Sequence, residues 1–210
     1  MKTVRGRGSA EQTIEKSRFI AYVSPVKSRE EAESFIAEIR AKHRDATHNV
    51  PAMVIGDKMQ IQWGSDDGEP GGTAGTPMAQ LLAKEGITDV AVVVTRYFGG
   101  IKLGPGGLVR AYTSSCKLGL EAAGICEIRE MTAVNAEIEY SVLAKLQNLA
   151  KTQNIGSEGG FEIEDISYTD RVTVRLVTER GEAEKVKTML SNLTGGAAKV
   201  LSESNITRKG

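Results

Sequence analysis

Aromatic residues make up only 5% of this 210-residue chain, so few side chains are available to stack on bases. Cysteine is rarer still. Cys116 and Cys126 stand apart, which excludes a disulfide framework and any C-x-x-C metal or redox motif, and points to a reducing, cytoplasmic compartment. The two histidines, His43 and His48, lie far from both cysteines in sequence, so no zinc site is expected. Net charge is also missing: 27 basic side chains face 27 acidic ones. That balance argues against coating nucleic acid by bulk charge but leaves room for a local basic patch. No apolar run approaches the length of a bilayer crossing, and the N-terminal MKTVRGRGSAEQ lacks the apolar core of a signal peptide. No membrane partner is expected.

Glycine is plentiful. Nearly half of the 23 glycines fall between Gly64 and Arg110, a stretch that also holds an acidic cluster and the apolar run VAVVV. Glycine loses much backbone entropy on ordering, so such a concentration needs a geometric reason. Two sharp loops, GEPGGTAGTP and FGGIKLGPGG, each running into a helix, would supply it. Thr76 followed by Pro77 predicts an N-cap and first helical position. Val90 to Thr95 predicts a buried strand, and a helix follows from about Gly107 to Ala123. Loops of this kind can turn backbone N–H groups toward a ligand.

Elsewhere, residues 1 to 10 read as a mobile basic arm, and Glu11 to Val26 as two short strands. Ser28-Arg29-Glu30-Glu31 is a capping box opening an amphipathic helix to about Arg40. Pro51 to Trp63 carries a hairpin signal around Gly56-Asp57-Lys58. After Glu130 the pattern changes to strict alternation, then to an order βαββαβ, the ferredoxin-like split unit, with Ser141 as a helix cap. The expected class is α+β, with domains at 1–130 and 131–210. In the second domain the outward residues Glu137, Glu139, Arg171, Thr173 and Arg175 include no aromatic, which disfavours base stacking there.

Two constellations carry chemistry. Asp66, Asp67 and Glu69 could share a metal ion or tune a carboxyl pKa; equally, they could cap turns and satisfy glycine-loop N–H groups. No histidine, cysteine or serine stands beside them in a catalytic spacing, so no catalytic residue, metal or cofactor is assigned. Arg96, Lys102 and Arg110, with the N–H groups of Gly99, Gly100, Gly104, Gly106 and Gly107, could face phosphates. The alternative is that these glycines allow close packing and the cations pair with the acidic cluster. Neither a P-loop nor a dinucleotide fingerprint is present. His48, in Thr47-His48-Asn49, reads as a turn anchor.

KSRFIA, DDGEPGGTAGTP and VVVTRYFGGIKLGPGGLVRAY, in that order, resemble the IMPACT family over about Ser9 to Ala123. The matching positions are His48, Asp66, Asp67, Glu69, Pro70, Gly72, Thr73, Gly75, Arg96, Tyr97, Gly99, Gly100, Lys102, Leu103, Gly104, Gly106 and Arg110. The resemblance implies a first domain similar to a small-subunit ribosomal-protein domain and to domain IV of elongation factor G. It implies a second domain similar to domain V of that factor. Eukaryotic relatives are translation regulators acting on a stress-activated initiation-factor kinase pathway through an N-terminal domain that has no counterpart here. For bacterial members the resemblance implies a translation-linked or nucleic-acid-binding role. The expectation is therefore a non-enzymatic regulator that binds RNA or a ribosome-associated partner. The alternatives are a metal-dependent hydrolase of a phosphorylated small molecule and a pure protein-interaction module.

Overall fold

The computed structural model describes residues 1–210, with ten strands and five helices. In chain order these are β1 (Lys2–Val4), β2 (Gly8–Ile14), β3 (Ser17–Pro25), α1 (Arg29–Lys42), β4 (His48–Ile55), β5 (Ile61–Gly64), α2 (Gly75–Lys84), β6 (Val90–Tyr97) and α3 (Gly104–Ala123). They continue with β7 (Ile125–Ile138), α4 (Tyr140–Thr152), β8 (Phe161–Tyr168), β9 (Val172–Glu179), α5 (Ala183–Leu193) and β10 (Lys199–Lys209). The chain divides into two compact units, Met1–Glu127 and Ile128–Arg208.

The first unit is built on an antiparallel sheet in the order β2-β3-β6-β4-β5. The VAVVV run explains why β6 lies at its centre. Val90, Val92 and Val94 point into one core, shared with Met78 and Leu82 of α2 and with Leu108, Tyr112 and Leu120 of α3. Ala91 and Val93 point to the opposite face, against Phe35, Ile36 and Ile39 of α1. A strand buried on both faces needs apolar residues at successive positions, and β-branched valine suits the pleat. Each fully buried valine contributes about 1.5 kcal/mol or more of transfer free energy.

The Ser28 hydroxyl accepts from the Glu31 N–H at 3.3 Å and opens α1 as the capping box predicts, while the Glu31 carboxylate accepts from the Lys27 N–H at 2.8 Å. The first residues, by contrast, are not a mobile arm. Lys2–Val4 pair antiparallel with Ile125–Glu127, Val4 is fully buried, and Arg7 pairs with Glu38 at 3.0 Å. A strand of three residues is too short for alternation to announce it.

At the end of α1 the His43 ring is 8% exposed. It lies between the hydroxyls of Tyr22 (2.8 Å) and Tyr97 (2.9 Å), and Tyr97 donates onward to Asp45 at 3.2 Å. Burial first, and then the charge of Lys42, holds the imidazole below its usual value of 6.5. Above that pH the ring is neutral whether the chain is folded or not. As pH falls below it the unfolded chain takes up the proton first, so stability drops. A urea-unfolding series should show this decline below about pH 6.5, and His43→Gln should flatten it.

In the second unit, β7 pairs with β9 and β9 with β8, while β10 pairs with the other edge of β7. Its core gathers Ile138, Leu146, Phe161, Leu176, Val186 and Leu190. Helix α4 opens at Tyr140 with Glu139 in the cap position, earlier in the chain than the expected Ser141 cap, which instead lies inside the first turn. The outward residues pair with carboxylates: Arg171 with Glu137 at 3.4 Å and Arg175 with Glu164 at 2.5 Å. No helix is long and apolar enough to cross a membrane.

Candidate functional site

The three acidic residues of the first glycine loop diverge. Asp67 adopts a left-handed backbone (φ 47°) and Gly68 follows at 87°, so successive side chains are thrown to different sides. The Asp66 carboxylate accepts from the N–H groups of Gly72 (2.7 Å), Ala74 (3.0 Å) and Gly75 (2.9 Å). It therefore caps α2 from a distance. The helix opens at Gly75 rather than after Thr76, and Pro77 sits inside its first turn. Thr73 closes the loop by donating to the Pro70 carbonyl at 2.6 Å. Gly75 allows this loop to lie against β5, since a Cβ there would come within 2.4 Å of the Ser65 carbonyl oxygen. Asp67 instead pairs with Arg40 at 2.9 Å and accepts from the Asn49 N–H at 2.7 Å. No three His, Cys, Asp or Glu side chains converge as a metal-holding set. Asp66 alone thus satisfies three N–H groups of the first loop from within it.

Glu69 turns inward and meets Arg96, which is 5% exposed. Glu69 Oε1 accepts from Arg96 Nη1 at 2.7 Å and from the Tyr112 hydroxyl at 2.6 Å. Arg96 Nη2 reaches Ser17 Oγ at 3.3 Å, while its Nε has no partner. The guanidinium lies 5.3 Å from the Phe19 ring centroid and 5.4 Å from that of Phe98. Burial and the neighbouring Glu69 carboxylate push the Tyr112 phenol far above its usual value, keeping it a neutral donor. Arg96 is therefore part of a buried ion pair, and the expectation that it faces phosphate with Lys102 and Arg110 is corrected. A partner 27 residues away in sequence satisfies it.

The second glycine loop is different. Gly99 is pressed against the β2–β3 turn and donates to Ser17 Oγ at 3.1 Å. Helix α3 begins at Gly104, so Gly104, Gly106 and Gly107 form its first turn instead of a preceding loop, and no side chain caps that turn. Lys102 and Arg110 are exposed and neither pairs with a carboxylate. They flank a hollow of about 400 Å³ that also includes Glu15, Ile101 and Ser114. A second hollow of about 400 Å³ shares Lys102 and Leu103 with the first, and is lined further by His48, Glu69, Pro70 and Phe98. Tyr97 is not in it; its hydroxyl serves His43 and Asp45.

His48 anchors the loop as expected, through Nδ1 to the Asp67 carbonyl at 2.8 Å. A carbonyl only accepts, so Nδ1 carries the proton and Nε2 of the neutral ring is an acceptor. That nitrogen lies 3.8 Å from Glu69 Oε2. Sequence reasoning missed Phe98, Ile101, Ser17 and Tyr112. The exposure of Phe98 (47%) and Ile101 (38%) beside a lysine has no periodic signature in a loop.

Residues 15–120 match the family model for the Impact N-terminal domain, and residues 137–197 match a domain of unknown function (DUF1949). The IMPACT family member YvyE of Bacillus subtilis (strain 168) is 41% identical over 198 residues, covering 94% of this chain and 88% of that protein. The chain belongs to the IMPACT family. Another IMPACT family member, YigZ of Escherichia coli (strain K12), is 33% identical over 193 residues, 90% of this chain and 91% of that one. The crystal structure of a hypothetical protein is similar with a TM-score of 0.59 at 30% identity, covering 96% of each chain. Every residue lining the two hollows except Ile14 falls inside the stretch matched by the Impact N-terminal domain, so the site belongs to the IMPACT domain itself.

Proposed function

We propose that this IMPACT-family chain is a cytoplasmic, translation-linked protein without catalysis of its own, which binds RNA through its second glycine loop. The observation that carries the reading is the unpaired Lys102 and Arg110 beside the uncapped first turn of the 20-residue helix α3. The positive end of a helix dipole, free N–H groups and two unpaired cations together suit phosphate oxygens. Under this reading residues 1–130 form the RNA-facing domain, a counterpart of elongation factor G domain IV. Residues 131–210 form a ferredoxin-like domain, a counterpart of domain V. Asp66, Asp67 and Glu69 are engaged separately, which gives the hydrolase alternative no shared metal set to use.

Co-sedimentation with ribosomes and with free RNA across a salt series tests the proposal. Binding should weaken linearly in log salt, and Lys102→Glu should weaken it and make the slope shallower by about one. Unchanged affinity and slope in a Lys102→Glu/Arg110→Glu double variant would overturn it. Undiminished retention on nuclease-treated ribosomes would replace RNA with a ribosome-associated protein, for which exposed Phe98 and Ile101 would be the contacts.

A further inference from the structure

We propose that the hollow between Pro70, Phe98 and Leu108 receives one unstacked nucleobase bearing an exocyclic amine, with its phosphate at the first turn of α3. This deepens the RNA-binding reading by naming what the site selects. The floor carries the argument. Glu69 is 8% exposed, yet both of its hydrogen bonds go to Oε1, and Oε2 receives none. Oε2 is not sealed from solvent, and Glu69 lines the hollow, so this oxygen stands there as an acceptor that an incoming donor can engage. Its neighbour across 3.8 Å, His48 Nε2, is a second acceptor when the ring is neutral, and the separation is too long for a hydrogen bond between the two.

The floor therefore offers two acceptors to an incoming donor, and it repels a carbonyl edge. An amino group on a heteroaromatic ring supplies N–H donors at the edge and an apolar face elsewhere. The walls match that face: Pro70, Phe98, Leu103, Pro105 and Leu108 are apolar, and the half-exposed Phe98 ring, which carries the Arg96 guanidinium, adds an aromatic surface. At the mouth stand Lys102 and the uncapped N–H groups of α3, placed for a phosphate on the same nucleotide. The volume, about 400 Å³, lies within the range of small-ligand sites.

The test uses the full chain with two mononucleotides that differ by one amino group: adenosine 5′-monophosphate and purine riboside 5′-monophosphate. Titration calorimetry should show the amino-bearing nucleotide binding at least about tenfold more tightly. Phe98→Ala should weaken it about tenfold, and adenosine monophosphate should compete with an RNA oligomer. If RNA binds with the expected salt dependence but the two nucleotides bind equally, or neither competes, the base subsite is overturned and the RNA reading survives. Amine-selective nucleotide binding without RNA binding would keep the subsite and sink the RNA reading. Failure of RNA and nucleotides alike removes both.

Discussion

Replacing Arg96 with methionine is expected to destabilise the first unit by about 3–5 kcal/mol, because it leaves the Glu69 carboxylate buried without its cation. The side chains of the pair are 6% and 3% exposed, so water cannot replace the lost partner. Tyr112 still donates to Oε1, but one neutral donor offsets only part of a buried charge. The guanidinium also packs against Phe19 and Phe98, contacts that methionine reproduces only in part. Urea unfolding of the single variant gives the loss directly. The triple variant Arg96→Met/Glu69→Leu/Tyr112→Phe, which removes every polar member of the group, should recover most of it, since apolar replacements of buried ion pairs are often neutral. A loss below about 1 kcal/mol in the single variant would mean that the pair is open to solvent, where such bridges are worth little. For the same reason Arg96 is a poor residue with which to probe the proposed RNA binding: its reversal would disturb the fold and the proposed surface together.

Gly99→Ala is expected to cost about 3 kcal/mol, the upper part of the range for forced overpacking, whereas Gly100→Ala should cost about 1–2 kcal/mol. A Cβ on Gly99 would lie 2.0 Å from the carbonyl carbon and oxygen of Lys16, both of them backbone atoms that no rotamer change can move. Gly100 has open space around its Cβ direction and requires glycine only for its φ of 87°. Adjacent glycines thus serve different ends, close approach in one case and backbone handedness in the other. The two substitutions should also separate in binding. Gly99→Ala shifts the whole loop away from the β2–β3 turn and should weaken the proposed RNA binding even in the fraction that folds. Thermal unfolding together with the salt-series assay reads both. Equal stability of the two variants would contradict the close approach at Lys16.

The parts of the molecule that were legible in the sequence are those decided by neighbours along the chain. The capping box at Ser28, the Phe35-Ile36-Ile39 face of α1 and the buried VAVVV strand all rest on local spacing. The site was legible as a stretch but not as an arrangement. Asp66, Asp67 and Glu69 read as one acidic cluster because they are adjacent, and the left-handed backbone at Asp67 separates them. Arg96 and Lys102 read as one basic group because they are six positions apart; a partner 27 residues away takes one inward and leaves the other exposed. Pairing over such separations leaves no local periodicity to detect. Phe98 leaves no signal for a related reason: a single exposed ring in a loop belongs to no periodic pattern.

The sheet order of the first unit also sets a schedule for synthesis. The hairpin β2–β3 is complete once Pro25 has emerged, but the strand that pairs with its open edge, β6, ends only at Tyr97. At typical elongation speeds that partner follows on the order of ten seconds later. Until then an apolar strand containing Phe19, Ile20, Ala21 and Val23 has an unpaired edge and no covering helix from α3. The nascent chain must therefore carry an adhesive surface out of the ribosome for that interval. Slowing translation between these two points should raise aggregation more than an equal pause after Ala123.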